Sequence, residues 1–180
     1  GIHTVTVLKR GEGGGRTSNG LLTNLSTDEK FLAPPKENTR RIEVIGDSDA
    51  AAFGNLSIGT NLPWDPETQD TTLSYAARAA DHFGAAVSVT AKSGVCLLKS
   101  PKANEGYYTD NYFFTDNWSV GDKYRYDFAS NPADAVFISL GGNDYGRIQP
   151  TDAEFTDGMA NFIRQVRSVN PDSAILVSGG

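Results

Sequence analysis

The sequence predicts an α/β domain with a parallel sheet, doubly wound in three layers. Three observations carry that expectation. Short apolar runs at 41–45, 86–91, 135–140 and 174–178 have the length and composition of strands buried between two helical layers. Helix-periodic stretches and one long connection separate them, so strands and helices alternate, as right-handed crossovers require. Three of the runs give way to glycine and small polar residues at their carboxyl ends, where open parallel sheets place their ligands.

The chain ahead of the first run reads differently. Residues 3–9, His-Thr-Val-Thr-Val-Leu-Lys, alternate as a half-buried strand does. Gly11, Gly13, Gly14 and Gly15 make a flexible turn; the third glycine of a dinucleotide fingerprint would fall on Arg16, and no helix follows. Residues 20–33 suggest another weak strand, and Ala33-Pro34-Pro35-Lys36 a stiff linker. Residues 1–39 are therefore expected to be the C-terminal part of a β-rich unit plus linker, too small to form a core alone. Gly1-Ile2-His3 opens in strand-like alternation rather than as a signal peptide, which suggests a fragment or a processed product.

The second domain is expected over 40–180. Its first strand ends at Gly46, which permits a sharp exit and delivers Ser48 at the strand's carboxyl end. Leu73, Ala76, Ala77, Ala80 and Phe83 recur at helical spacing, predicting a helix over about 68–83 that Gly84 ends. After the second strand, residues 97–132 form a long connection rich in aromatics, among them Tyr108, Tyr112, Trp118 and Phe128. A connection of that length suggests either a loop or lid with a function or a loop that simply buries its aromatics over the helix layer. Following the third strand, Thr151-Asp152-Ala153-Glu154 is a capping box. Phe155, Met159, Phe162, Ile163 and Val166 stripe the helix it starts, and Asn170-Pro171 stops it.

Bulk properties narrow the function. A net charge of −6 argues against binding a phosphate backbone, so no nucleic-acid partner is expected. No apolar segment approaches the length of a membrane span, so no membrane partner is expected either. Cys96 is the one cysteine and cannot form an internal disulfide.

The chemistry sits in the three breaks: Gly46-Asp47-Ser48, Ser93-Gly94 and Gly141-Gly142-Asn143-Asp144. Parallel strands share their carboxyl ends, so all three are expected along one edge. A serine hydroxyl, a glycine N–H and an Asn carboxamide are what acyl transfer needs: a nucleophile and donors for the oxyanion. Singly, each break reads as an ordinary turn; together, in this order, they read as a site.

These residues resemble blocks I, II and III of the SGNH (GDSL) hydrolases. More narrowly, Lys9-Arg10, Pro34-Pro35, the run from Arg40 to Ser48, Phe53-Gly54-Asn55, Ser93-Gly94 and Tyr126-Asp127-Phe128 resemble carbohydrate esterase family 2. Those enzymes remove acetyl groups from xylan and related plant polysaccharides and carry a β-sandwich ahead of the catalytic domain. The resemblance implies a flavodoxin-like SGNH domain with strand order 2-1-3-4-5, preceded by the remnant of a jelly-roll-like unit. It implies Ser48 as nucleophile, and Ser48 N–H, Gly94 N–H and the Asn143 side chain as oxyanion hole. Gly46, Asp47, Gly142 and Asp144 would support the turns. No cofactor or metal is implied, the partner is an acylated polysaccharide or oligosaccharide, and the location is extracellular.

The chain departs from that pattern at its histidines. A serine needs a base, usually His, to attack near neutral pH. His82 is expected at the end of the first helix, away from Ser48, and His3 in the N-terminal β segment. Relatives carry the base in an Asp-x-x-His block after a fifth strand, and no such block is present, so the chain is expected to be truncated before it and inactive alone. The alternative is a non-catalytic carbohydrate-binding or interaction protein, a degenerate relative without the base.

Overall fold

Strand β1 (Arg40–Gly46) is an inner strand of a four-stranded sheet ordered β2-β1-β3-β4, with β2 (Ala85–Ala91), β3 (Ala135–Leu140) and β4 (Ala174–Gly179) all parallel. The computed structural model describes residues 2–12, 24–33, 35–36, 38–59, 63, 65–109, 111–113 and 125–179. The strand order is the flavodoxin-like one as far as four strands reach. Gly46 lies opposite both Ala91 and Ser139, so three strands end level at one edge.

Alternation along β1 sends residues to two cores. Val44 packs with Ala76 of helix α1 (Tyr75–Phe83), whereas Ile45 packs with Phe162 and Val166 of helix α2 (Asp152–Val169). The two helices therefore cover opposite faces, giving three layers. The capping box forms: Thr151 Oγ1 accepts from Glu154 N–H, and the Glu154 carboxylate accepts from Thr151 N–H at 2.8 Å. Helix α2 stops at Asn170, ahead of Pro171.

Three expectations change. The helix predicted over 68–83 is broken, with α1 beginning only at Tyr75 after a 3₁₀ turn at Thr71–Leu73. The Asp70 carboxylate accepts from Thr72 N–H, and Ser74 Oγ from Ala77 N–H, so two side-chain caps compete with a continuous helix. The strand predicted over 3–9 is not formed: among the described residues, 2–10 have no ladder partner, and Val5 and Val7 are exposed. Among residues 24–33 there is likewise no strand, while 20–23 lie outside the described residues. An alternating pattern needs a neighbouring strand to become a sheet. Finally, Tyr108, Tyr112 and Phe128 of the aromatic connection are buried with Phe162 between the sheet and α2, so they are core rather than lid. Trp118 lies outside the described residues.

One polar cluster sits in that core. Glu43 of β1 is 7% exposed; its carboxylate accepts from Tyr112 Oη–H at 3.0 Å, and Asn170 Nδ2 donates to Tyr112 Oη at 3.1 Å. Burial pushes the Glu43 carboxyl above its ordinary 4.5, against the pull of its hydrogen bonds. The folded chain thus holds this proton more tightly than the unfolded one. The resulting stabilisation is complete below 4.5 and is lost as pH rises through the folded value. Glu43→Gln is therefore expected to raise the thermal midpoint by several degrees at pH 8, a difference that narrows on acidification toward pH 4. Melting curves across that range check it.

Candidate active site

The turn after β1 is built by glycine. A Cβ on Gly46 would stand 2.5 Å from the Ala50 Cβ and 3.3 Å from the Ser139 carbonyl oxygen, so only a bare backbone fits. Backbone bonds then wind the chain: Ala51 N–H to Asp47 O at 3.0 Å and Phe53 N–H to Ser48 O at 2.8 Å. Ser48 is half-buried at this edge. Its hydroxyl makes no hydrogen bond among the described residues.

Asp47 ties this turn to the one after β3. One carboxylate oxygen accepts from Asp49 N–H at 3.2 Å, and the other from Asn143 Nδ2 at 3.0 Å. Burial, with the Asp49 charge adding to it, raises the Asp47 carboxyl, and the hydrogen bonds pull the other way. Asp49 itself is exposed, so its charge is solvated.

Asp144 performs a second brace. It is fully buried, and its two oxygens accept from Leu97 N–H at 2.8 Å and Leu98 N–H at 2.9 Å, joining the turn after β3 to the chain beyond β2. Burial raises its carboxyl while those two N–H groups lower it. An amide cannot accept from both, because its NH₂ would face an N–H. Asp144→Asn is expected to destabilise the chain by about 1–3 kcal/mol, measured by urea unfolding, with no change in helix content before the transition.

Gly94 adopts φ +77°, a left-handed conformation that glycine takes freely, and a Cβ there would stand 2.8 Å from Arg147 Nη2 and from Glu105 Cγ. The preceding Ser93 is held by Glu12, whose Oε1 accepts from both its N–H and its hydroxyl. Tyr108 adds a further tie: its buried hydroxyl lies 2.8 Å from the Gly46 carbonyl oxygen and 2.6 Å from the Thr90 one, its single proton shared between the ends of β1 and β2. Sequence reasoning missed both residues. Tyr108 was one aromatic among many, and Glu12 stood in a glycine-rich turn with no chemistry of its own. Gly142 is exposed in the turn after β3.

Other groups fall away from the edge or lack reactivity. Burial pushes the Cys96 thiol up to about 11, so it is not a thiolate near neutral pH. His82 is exposed in the last turn of α1, its ring against Phe83. The Phe83 carbonyl accepts from Arg40 Nη1 at 3.2 Å, and Arg40 begins β1, so His82 lies at the edge opposite Ser48. His3 is exposed in the N-terminal segment. Beside the Ser48 turn, on the α1 face, a cleft of about 520 Å³ is lined by Asp49, Phe53, Asn55, Tyr75, Phe137 and Ser139.

No family model matches the chain. It is 32% identical over 184 residues to the cellulase/esterase CelE of Acetivibrio thermocellus, an alignment that takes in 100% of this chain and 22% of that protein. Among solved structures, a family two carbohydrate esterase from Clostridium thermocellum in complex with cellohexaose superposes with a TM-score of 0.72 at 32% identity, over 84% of this chain and 46% of that one. A family 2 enzyme with a carbohydrate-binding domain from Corynascus thermopiles (Myceliophthora fergusii) gives 0.71 at 27% identity, over 87% and 50%. The acetyl xylan esterase Est2A of Butyrivibrio proteoclasticus gives 0.73 at 20% identity, over 86% and 50%, a likeness of fold. The chain thus spans under a quarter of the curated relative and about half of the solved ones.

Proposed function

We propose, from its similarity to the family 2 carbohydrate esterases, that the chain carries the nucleophile and oxyanion hole of a serine esterase. The substrates are O-acetyl or similar short acyl esters on plant-type polysaccharides, encountered outside the cell. The observation that carries this reading is the Asn143–Asp47 hydrogen bond, which sets the carboxamide beside the Ser48 turn at the level carboxyl edge.

In this mechanism Ser48 Oγ attacks the acyl carbon as its proton passes to a base. Negative charge moves to the carbonyl oxygen, which Ser48 N–H, Gly94 N–H and the Asn143 carboxamide hold. Asn143 Nδ2 has two hydrogens; Asp47 takes one, which fixes the amide plane and leaves the other for the oxyanion. Collapse breaks the bond to the sugar oxygen, which takes the proton from the base and leaves as a hydroxyl. Water, deprotonated by the same base, then releases the acid and restores Ser48. Asp47 and Asp144 brace the two turns and take no part in proton transfer. His82, at the opposite edge of the sheet, does not serve as the base.

The test is covalent labelling with a fluorophosphonate. The complete gene product is expected to label at Ser48, and its Ser48→Ala variant not at all; equal labelling of the two would sink the nucleophile assignment. The 180-residue chain alone is expected to hydrolyse 4-nitrophenyl acetate no faster than its own Ser48→Ala variant. A second reading, non-catalytic polysaccharide binding, is favoured by the position of His82 and by the cellohexaose bound to the Clostridium relative. Cellohexaose binding by a complete gene product that fails to label would support it.

A further inference from the structure

We propose that Glu12 is a positioning residue of this site, holding the Ser93-Gly94 turn so that Gly94 N–H faces the acyl oxygen; the inference rests on the reading of Ser48 and Gly94 given above. Residues 2–10 are exposed and form no strand, yet the chain at 9–12 is pinned to the α/β domain. Thr71 N–H donates to Arg10 O at 2.7 Å, Thr71 Oγ1 to Lys9 O at 3.3 Å, and Glu12 N–H to Oε1 of the fully buried Gln69 at 3.0 Å. Bonds at Lys9, Arg10 and the Glu12 N–H thus fix where the Glu12 side chain starts.

That side chain ends on one residue. Oε1 accepts from Ser93 N–H at 2.8 Å and from Ser93 Oγ–H at 2.6 Å, from 81 positions away in sequence. Bonds of this length to a carboxylate are charge-assisted, roughly twice as strong as neutral ones. Ser93 immediately precedes Gly94, and Gly94 has no side chain to fix its own peptide. Its left-handed conformation is flanked by Arg147 and Glu105 and lies in a turn closed by Val95 N–H to Lys92 O at 3.3 Å, whose other central residue is the Ser93 that Glu12 holds. Rotation of the 93–94 peptides would turn the Gly94 N–H away from the acyl oxygen, and an N–H misplaced by about 1 Å loses most of its effect on an oxyanion. A pin needed for stability alone could land anywhere on the domain; this one lands beside the donor.

The carboxylate acts through its acceptor oxygen, which an amide also has. The complete gene product, with Glu12→Ala, Glu12→Gln and Ser48→Ala variants, is assayed on an acetyl ester with hydrogen exchange followed across 92–95. Glu12→Ala is expected to lower kcat about tenfold to a hundredfold with KM little changed, and to speed exchange at Ser93 and Gly94. Glu12→Gln, which keeps the acceptor, is expected to stay within about threefold of wild type. If Glu12→Ala does not fold, Ser93→Ala replaces it: it deletes the hydroxyl donor alone and is expected to lower kcat severalfold with KM unchanged. Glu12→Ala or Ser93→Ala at wild-type kcat, or Glu12→Gln as impaired as Glu12→Ala, overturns the role of Glu12 while Ser48→Ala remains inactive. Turnover that survives Ser48→Ala overturns the reading of the site itself.

Discussion

Ser48→Ala is expected to lower ester hydrolysis by the complete gene product about 10⁶-fold in kcat while leaving its thermal midpoint in place. The two halves of that result have separate causes. On the proposed mechanism, loss of the hydroxyl removes the atom that would form the acyl bond, and Cys96 does not substitute for it, being a buried thiol pushed up to about 11. Stability is spared because the Ser48 hydroxyl makes no hydrogen bond among the described residues, so its removal orphans no buried partner. The turn itself is wound by backbone bonds that alanine keeps. Asn143→Ala makes the contrast, since it also takes a hydrogen-bond donor from the half-buried Asp47 carboxylate and should depress the midpoint as well as kcat. Steady-state kinetics and melting curves on the two variants separate the roles; a loss under tenfold in Ser48→Ala would exclude it as nucleophile.

Phe162→Ala is expected to cost about 3–5 kcal/mol of folding free energy. Phe162 is 1% exposed, and its ring meets Tyr108 at 5.6 Å and Tyr112 at 5.5 Å between centroids. Truncation opens a cavity between two tyrosines whose hydroxyls are already committed, one to the Gly46 and Thr90 carbonyls and one to Glu43. Neither ring can slide into the gap without breaking a buried hydrogen bond, so collapse is hindered and the loss falls toward the upper end. Against a total of about 5–15 kcal/mol, a change of this size threatens the fold. Urea unfolding gives the number. Phe155→Ala, at a half-buried position on the same helix, should lose distinctly less.

The sheet was legible because aliphatic and β-branched residues dominate 41–45, 86–91, 135–140 and 174–178, and each run falls within an observed strand. The capping box was legible because its bonds span three residues. What escaped was either competition or distance. The onset of α1 was decided by the Asp70 and Ser74 caps against a pattern that ran on through them. The strand expected over 3–9 had the alternation but no neighbour to pair with. At the site, Ser48, Gly94 and Asn143 announced themselves as breaks after strands, whereas Glu12 and Tyr108 act across long separations and look unremarkable locally. Nothing in a Gly-Glu-Gly stretch says that its carboxylate ends on a serine in another turn.

The inner position of β1 also sets a timetable for synthesis. Arg41 N–H donates to the Asp134 carboxylate across 93 positions of chain, and β3 begins one residue later. At about 5–20 residues per second, a ribosome needs roughly 5–20 s to make that stretch. Until then β1 can pair with β2, but its other side is an open strand edge of the kind that invites wrong partners. Glu43 lies in the middle of that edge and, while wet, carries a charge that discourages a stray strand from docking. The residue whose burial opposes its charge in the finished core is thus a charge on the one side of β1 that stays open until β3 is made.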